Sequence, residues 1–183
     1  VLVVRGLNLT DEQQLEFAHT LGAVRDGKLK KKQDDGTIKV TSETEGGGGI
    51  FKVTFDTSQN KSYAAYLVGT FSWHMDGTWE EVPPLASILT PRILSQTGGQ
   101  TEFANTYAAY DDLPDSDKKL FDTLKVVHVQ KTAYMETIPN MTPAQIKDFD
   151  SYPVRVHPLV WKHRSGRKSI AFSSSADHFE GMN

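Results

Sequence analysis

The chain has 183 residues, 20 Lys and Arg against 23 Asp and Glu for a formal net charge of -3, and no Cys. Its length supports one domain, residues 1–183, with a real core, and its weak charge argues against a nucleic-acid partner. Lack of Cys excludes disulfides, thiolate metal sites and cysteine nucleophiles, and no apolar run approaches the roughly 20 residues of a membrane span, so a cytoplasmic protein without a membrane partner is expected.

Residues 1–5 are a β-branched run that reads as a buried strand closed by Gly6. A core-type strand at the first residue leads us to expect an excerpt of a longer protein. Thr10 and Gln13 form a capping box, with Asp11 and Glu12 suited to a helix N-terminus. Leu15, Ala18 and Leu21 recur at helical spacing, Gly22 ends the helix, and His19 reads as a surface or half-buried residue rather than a ligand. Residues 23–49 are polar and close on a run of four Gly, which predicts a long, mobile loop. Its basic run, Lys28 to Lys32, is followed by Asp34 and Asp35 and reads as a solvated loop. Residues 50–55 alternate as a strand through Phe51, Val53 and Phe55. Residues 56–62 then turn the chain, and 63–68 lead into the stretch that carries the chemistry.

Read as a strand, residues 69–79 place Thr70, Ser72, His74, Asp76 and Thr78 on one face and Phe71, Trp73 and Met75 on the other. A soluble strand can simply show such a polar face to water. If the face instead lines the mouth of a barrel or sandwich, His74 and Asp76 become adjacent ligands of one metal ion. Imidazole plus carboxylate, with one further His and open positions, is the facial triad of non-haem Fe(II) oxygenases. Donor atoms sharing an ion at about 2.0–2.2 Å sit roughly 3 Å apart. Thr70 shares the face and reads either as a border of the substrate pocket or as a plain strand residue.

Pro83-Pro84 breaks the chain, and residues 86–94 read as a strand, with Pro91 placing it at an edge or bulge. Residues 97–103 are a Gly-Gly turn into a short strand. Asn105 or Thr106 caps a helix carrying Tyr107, Tyr110 and Leu113, and Pro114 and Ser116 open another with Leu120, Phe121 and Leu124. Residues 125–134 alternate as a strand, with Val127 and Val129 opposite His128. Thr142-Pro143 starts a short helix. Residues 154–161 form a strand, Ser165-Gly166 a tight turn and 168–172 the hairpin partner. The expected architecture is mainly β with flanking helices, a sandwich or jelly roll.

Three stretches together resemble the TauD/TfdA family of Fe(II)- and 2-oxoglutarate-dependent dioxygenases. They are Trp73-His-Met-Asp-Gly-Thr-Trp79, then Thr97-Gly-Gly-Gln-Thr-Glu-Phe-Ala-Asn-Thr-Tyr107 with Leu113-Pro114, and His157-Pro-Leu-Val-Trp-Lys-His-Arg-Ser-Gly-Arg-Lys168. Residues 1–22 resemble the family's opening strand and helix. The resemblance implies a double-stranded β-helix, a jelly roll, here incomplete at both ends. It implies His74 and Asp76 as iron ligands and Thr101 as a hydrogen-bond donor to the distal carboxylate of 2-oxoglutarate. By the same resemblance the third His and an Arg that clamps 2-oxoglutarate belong beyond Asn183. His157 is then strand scaffolding, His163 an exposed residue beside a basic turn, and His178 a landmark on the substrate side. The implied reaction uses O2 and 2-oxoglutarate to hydroxylate a small organic acid, with release of succinate and CO2. The second and third stretches look nearer to the aryloxyalkanoate than to the taurine (sulfonate) side. Two alternatives stand beside it: a cupin-like metal enzyme that does not use 2-oxoglutarate, and a β-sandwich interaction domain with an accidental His-x-Asp. A homo-oligomer is compatible with all three.

Overall fold

The computed structural model describes residues 1–25, 28–32, 35, 37–42, 49–56, 58 and 67–182. In chain order its elements are α1 (Asp11–Leu21), β1 (Lys28–Lys32), β2 (Ile38–Ser42), a 3-10 turn (Leu67–Phe71), α2 (Thr106–Asp111) and α3 (Asp115–Phe121). There follow β3 (Lys125–His128), a second 3-10 turn (Thr132–Tyr134), α4 (Pro143–Asp150), β4 (Arg155–Pro158), β5 (Val160–Lys162), β6 (Lys168–Ile170) and β7 (Ala176–Phe179). Short strands with flanking helices are therefore what the described residues form.

The centre is β3, whose Val126, Val127 and His128 are all buried. It pairs antiparallel with β4 on one side and β7 on the other, Val126 standing opposite both His157 and Phe179. Between Val127 and His128 the register with β7 slips: Val127 faces His178 but His128 faces Ala176, leaving Asp177 as the extra residue. Such a bulge bends its strand and re-aims the neighbouring side chains. Here it brings the Ser175 carbonyl to the Val129 amide at 2.9 Å.

β5 and β6 form a hairpin, Val160 opposite Ile170 and Lys162 opposite Lys168, around the tight turn at Ser165-Gly166. Gly166 supplies the left-handed backbone that this turn requires, at φ +84°. Leu159 joins the hairpin to the central sheet: its amide donates to Leu124 O at 2.9 Å and its carbonyl accepts from Ala171 N at 2.7 Å. Leu159, Val126 and Ala171 are buried and form the core at this junction. The predicted strand at 154–161 is thus two strands hinged at Leu159, and its hairpin partner is where the turn signal put it.

Helix signals read locally from the sequence are met locally. Thr10 and Gln13 make both bonds of their capping box, and so do Thr142 and Gln145 at the head of α4, with Pro143 at the first helical position. The Asn105 side chain accepts from the Tyr107 and Ala108 amides to cap α2. α2 packs on β6, where Tyr110, Lys168 and Asp122 share hydrogen bonds.

Several strand expectations are overturned. Residues 1–5, 50–55, 86–94 and 97–103 contain no strand, and residues 69–79 are a 3-10 turn followed by irregular chain and a turn. The predicted strand at 125–134 ends at His128. A strand is stable only as part of a ladder, and these alternating stretches find no edge to pair with. Their apolar side chains stay exposed accordingly, Val1 to Val4, Phe51, Val53, Phe55 and Ile93 among them. The loop expected over 23–49 is corrected in the other direction. Lys28–Lys32 is a strand, paired residue by residue with Ile38–Ser42 from Lys28 opposite Ser42 to Lys32 opposite Ile38. Most of the four-Gly run and most of residues 56–68 lie outside the described residues. Within the predicted turn at 56–62, the Asp56 carboxylate accepts from both the Ser58 amide and hydroxyl.

Candidate active site

His74 and Asp76 lie in the irregular chain after the first 3-10 turn, so their common direction owes nothing to strand alternation. A set of local bonds produces it instead. His74 Nδ1–H donates to the Ser72 carbonyl at 2.7 Å, which fixes the ring and leaves the Nε2 lone pair pointing outward. That Nε2 stands 3.4 Å from Asp76 Oδ1. The other carboxylate oxygen, Oδ2, accepts from the Ser87 hydroxyl.

Gly77 makes the turn that follows. Its backbone sits at φ +67°, and a Cβ there would meet Pro84 Cδ at 2.5 Å, so no other residue fits without moving the Pro83-Pro84 segment. Beyond it the chain is anchored to the sheet. His157 Nε2–H, from β4, donates to the Glu80 carbonyl at 2.8 Å. Arg25 pairs with Glu80 at 2.8 Å and lies over the Trp79 ring.

Two serines ahead of β7 hold the loop from below. Ser173 Oγ accepts from the Met75 amide at 3.2 Å and donates to the Met75 carbonyl at 3.4 Å. Ser175 Oγ lies 2.8 Å from Thr78 Oγ1 and 2.9 Å from His128 Nδ1. Thr78, Ser173, Ser175 and His128 are all buried.

The electrostatics of the pair follow from this geometry. Hydrogen bonding to Asp76 raises the His74 pKa above its ordinary value, against the opposing effect of burial. Asp76 is held below the usual carboxylate range, first by His74 and then, against burial, by the Ser87 hydroxyl. A cavity of about 170 Å³ opens here, lined among others by Thr70, His74, Asp76, Thr78, Tyr134 and Ser175. An ionised carboxylate and an imidazole lone pair facing one cavity are a fitting donor pair for a divalent metal. Among the described residues no third His, Asp or Glu joins them.

The structure thus brings His74, Asp76 and Thr70 to one cavity. The Thr70 hydroxyl is spent on the Leu67 carbonyl at 2.7 Å. Thr101 is exposed and outside the cavity's lining. Of the other histidines, His178 is exposed and bonded to Asp177. His163, expected in solvent, is instead half-buried, its Nε2 at 2.8 Å from Ser169 Oγ and its ring 4.7 Å from that of Tyr107. The hairpin that creates the basic turn also presses this ring onto α2, which is why it leaves the water.

The family described as taurine catabolism dioxygenase TauD, TfdA family, matches residues 1–183. The chain belongs to this family. Among its TauD/TfdA relatives, the alpha-ketoglutarate-dependent 2,4-dichlorophenoxyacetate dioxygenase of Burkholderia sp. (strain RASC) is 32% identical over 193 residues, covering 99% of this chain and 60% of that protein. The alpha-ketoglutarate-dependent sulfate ester dioxygenase of Pseudomonas putida is 36% identical over 121 residues, covering 60% of this chain and 38% of that protein. The crystal structure of AAD-2 in complex with Mn(II) and N-oxalylglycine superposes with a TM-score of 0.71 at 25% identity, over 98% of this chain and 60% of that one. The chain therefore spans about three fifths of the length of the first of these relatives.

What sequence reading missed in this TauD/TfdA chain is the support beneath the pair. Ser173, Ser175 and His128 carry no motif. The one available signal was the Ser173-Ser-Ser175 run, small hydroxyls between two strands, where side chains able to satisfy a neighbouring loop are needed.

Proposed function

We propose that this chain carries the first ligand pair of a cytoplasmic Fe(II)- and 2-oxoglutarate-dependent dioxygenase acting on a small organic acid. The observation that carries the reading is the convergence of His74 Nε2 and Asp76 Oδ1 at 3.4 Å on one cavity, with His74 Nδ1 already committed to the Ser72 carbonyl. His74 would hold the metal through Nε2 and Asp76 through Oδ1, while Ser87 keeps the second carboxylate oxygen turned away. When bound, Fe(II) supplies the oxygen-activating redox chemistry that the protein side chains lack. With this reading goes the jelly roll of the family, the described strands forming one part of a single domain. Thr101 is kept as the donor to the distal carboxylate of 2-oxoglutarate on the strength of its Gly-Gly-x-Thr setting alone.

N-oxalylglycine, bound with Mn(II) in AAD-2, is a 2-oxoglutarate analogue, which supports that co-substrate here. The relatives' names point to aryloxyalkanoates or sulfate esters as the substrate class. The test is succinate release by the full-length protein with Fe(II), O2 and 2-oxoglutarate, against a panel of phenoxyacetates, phenoxypropionates and alkyl sulfates. One class should stimulate succinate release, and His74→Ala or Asp76→Ala should lower it by at least about 100-fold, more than loss of a metal's outer partners. Metal uptake without any consumption of 2-oxoglutarate would replace this reading with the cupin-like one.

A further inference from the structure

Asp76 takes one of its partners from the least packed part of the molecule. Ser87, whose hydroxyl donates to Asp76 Oδ2, lies in a segment where Val82, Leu85, Leu89, Ile93 and Leu94 are exposed and Ile88 is half-buried. Residues 82–94 contain no helix or strand, so neither ladder bonds nor a deep core fixes their position. Side-chain ties to the N-terminal helix do so instead. Gln14 of α1, itself half-buried, donates from Nε2 to the Ile88 carbonyl at 3.2 Å. Arg92 donates to the Leu9 carbonyl and pairs with Asp11 at 2.6 Å. The ion pair is about half exposed at both ends, so water and salt weaken it. The Gln14 bond is neutral and better shielded, and it falls on the residue next to Ser87. Peptide planarity leaves only a few torsions between the Ile88 carbonyl and the Ser87 side chain. At the other end, α1 is closed by both bonds of its capping box, and the Gln14 amide donates to the Thr10 carbonyl, so Gln14 projects from a fixed turn.

We infer that Gln14, acting through the Ile88 backbone on Ser87, is a positioning residue that decides which Asp76 oxygen faces the metal. The last torsion of an Asp side chain is broad and roughly two-fold, so the carboxylate needs an outside partner to settle its orientation. With Ser87 in place, Oδ2 is engaged and Oδ1 is left on the side of His74 Nε2. Only the metal in this inference rests on the dioxygenase reading; the hold of Gln14 on Ser87 does not.

Two measurements on the full-length protein test it. The variant Gln14→Met removes the donor while keeping the length, the helix propensity and the absence of charge. In the metal-free protein, 13C NMR of the Asp76 carboxyl should show its resonance displaced in the same direction by Ser87→Ala and by Gln14→Met. Added to Ser87→Ala, Gln14→Met should move it no further. An Asp76 resonance that Gln14→Met leaves in place overturns the inference. In the second measurement Mn(II) is titrated by calorimetry. Ser87→Ala should weaken binding by about ten-fold or more, as loss of a ligand's outer partner does. Gln14→Met should weaken it by about five-fold, the worth of one hydrogen bond, and by nothing further once Ser87 is Ala. Such complete coupling marks two residues acting in series, and a general weakening of the fold would not produce it. Unchanged affinity in Gln14→Met, or an equal loss in both backgrounds, also overturns the inference. Should the unaltered protein bind no Mn(II), the ligand-pair reading falls, and the Asp76 resonance alone then decides whether Gln14 sets the carboxylate.

Discussion

Residues 105–182 and residues 67–104 are built on different principles. The first stretch contains three α-helices and five strands, and it supplies nearly all of the buried core: Val126, Leu159, Ala171, Phe149 and Tyr110. The second contains a single 3-10 turn and leaves Leu85 96% and Ile93 93% exposed. Yet the second carries His74 and Asp76. Its geometry is borrowed: Ser173, Ser175 and His157 reach across from the regular part to fix the backbone and hydroxyl groups of the irregular one. A candidate site placed on a loop therefore depends on the sheet beneath it, and the two stretches should respond to mutation very differently.

The largest contrast is expected between Leu159→Ala and Leu85→Ala. Leu159 is 2% exposed at the junction of two sheets, so its truncation should cost about 2–5 kcal/mol in denaturant unfolding. Leu85 touches mainly solvent, and the same change there should stay within about 0.5 kcal/mol. Equal losses would mean that the irregular stretch packs against something, and the comparison would collapse.

This contrast also explains which parts of the molecule were legible in the sequence. The capping box at Thr10, the helix start at Thr142-Pro143, the cap at Asn105 or Thr106 and the Ser165-Gly166 hairpin are signals whose cause lies within a few residues, and each appears, with Asn105 as the cap of α2. Alternation over 50–55, 69–79 and 86–94 is a different kind of signal. It states what a strand's faces would be, but the pairing edge that makes a strand lies far away in the chain. The basic run at Lys28 was misread for the same reason, since its partner strand at Ile38–Ser42 decides its state. His74 and Asp76 stand out as candidates because residue type and spacing name their chemistry even where the strand does not exist. Ser173 and His128 were not, because a buried hydroxyl or imidazole acquires a role only from its neighbours.

Next in size is an effect of pH on the regular part. His128 has its pKa lowered from 6.5 to about 4 by burial first and the charge of His157 second. The unfolded chain therefore binds the proton more readily than the folded one between these values, and stability falls as the pH is lowered through that window. The contribution is complete above about pH 6.5 and lost below about pH 4, a span worth about 3 kcal/mol. Unfolding free energies measured from pH 7 to pH 4 should fall less steeply in His128→Gln than in the unaltered protein. Parallel curves would mean that the ring meets its proton equally well in both states.

Gly77→Ala strikes the irregular stretch itself, at the turn that follows Asp76. The new methyl group would need a positive φ and would press on Pro84 Cδ, strain of about 2 kcal/mol that the loop can relieve only by moving. Because the loop has little packing to lose, the expected signature is weakened Mn(II) binding together with a modest fall in thermal midpoint. A variant that binds Mn(II) as tightly as the unaltered protein would show that the turn can relax without disturbing His74 and Asp76.

Of the substitutions expected to destabilise the fold, Ser173→Ala should do so least, and it is the sharpest test of borrowed order. One hydroxyl, 4% exposed, serves both the amide and the carbonyl of Met75, the residue between His74 and Asp76. Its removal leaves two backbone groups short of a partner, a cost of about 1 kcal/mol, small against the core effect of Leu159→Ala. The consequence for the site should be disproportionate. Outer partners that orient ligands are worth about 10- to 100-fold in metal affinity, so Mn(II) titrated calorimetrically into full-length Ser173→Ala should bind at least about ten-fold more weakly. Ser174→Ala provides the control next door: Ser174 also lines the cavity, but it makes no such bond to Met75 among the described residues, and the variant should bind Mn(II) normally. Ser173→Thr keeps the hydroxyl and should recover most of the affinity. If Ser173→Ala and Ser174→Ala bind Mn(II) alike, the loop holds its own shape, and the dependence of the irregular stretch on the regular one is refuted at the residue where it should be clearest.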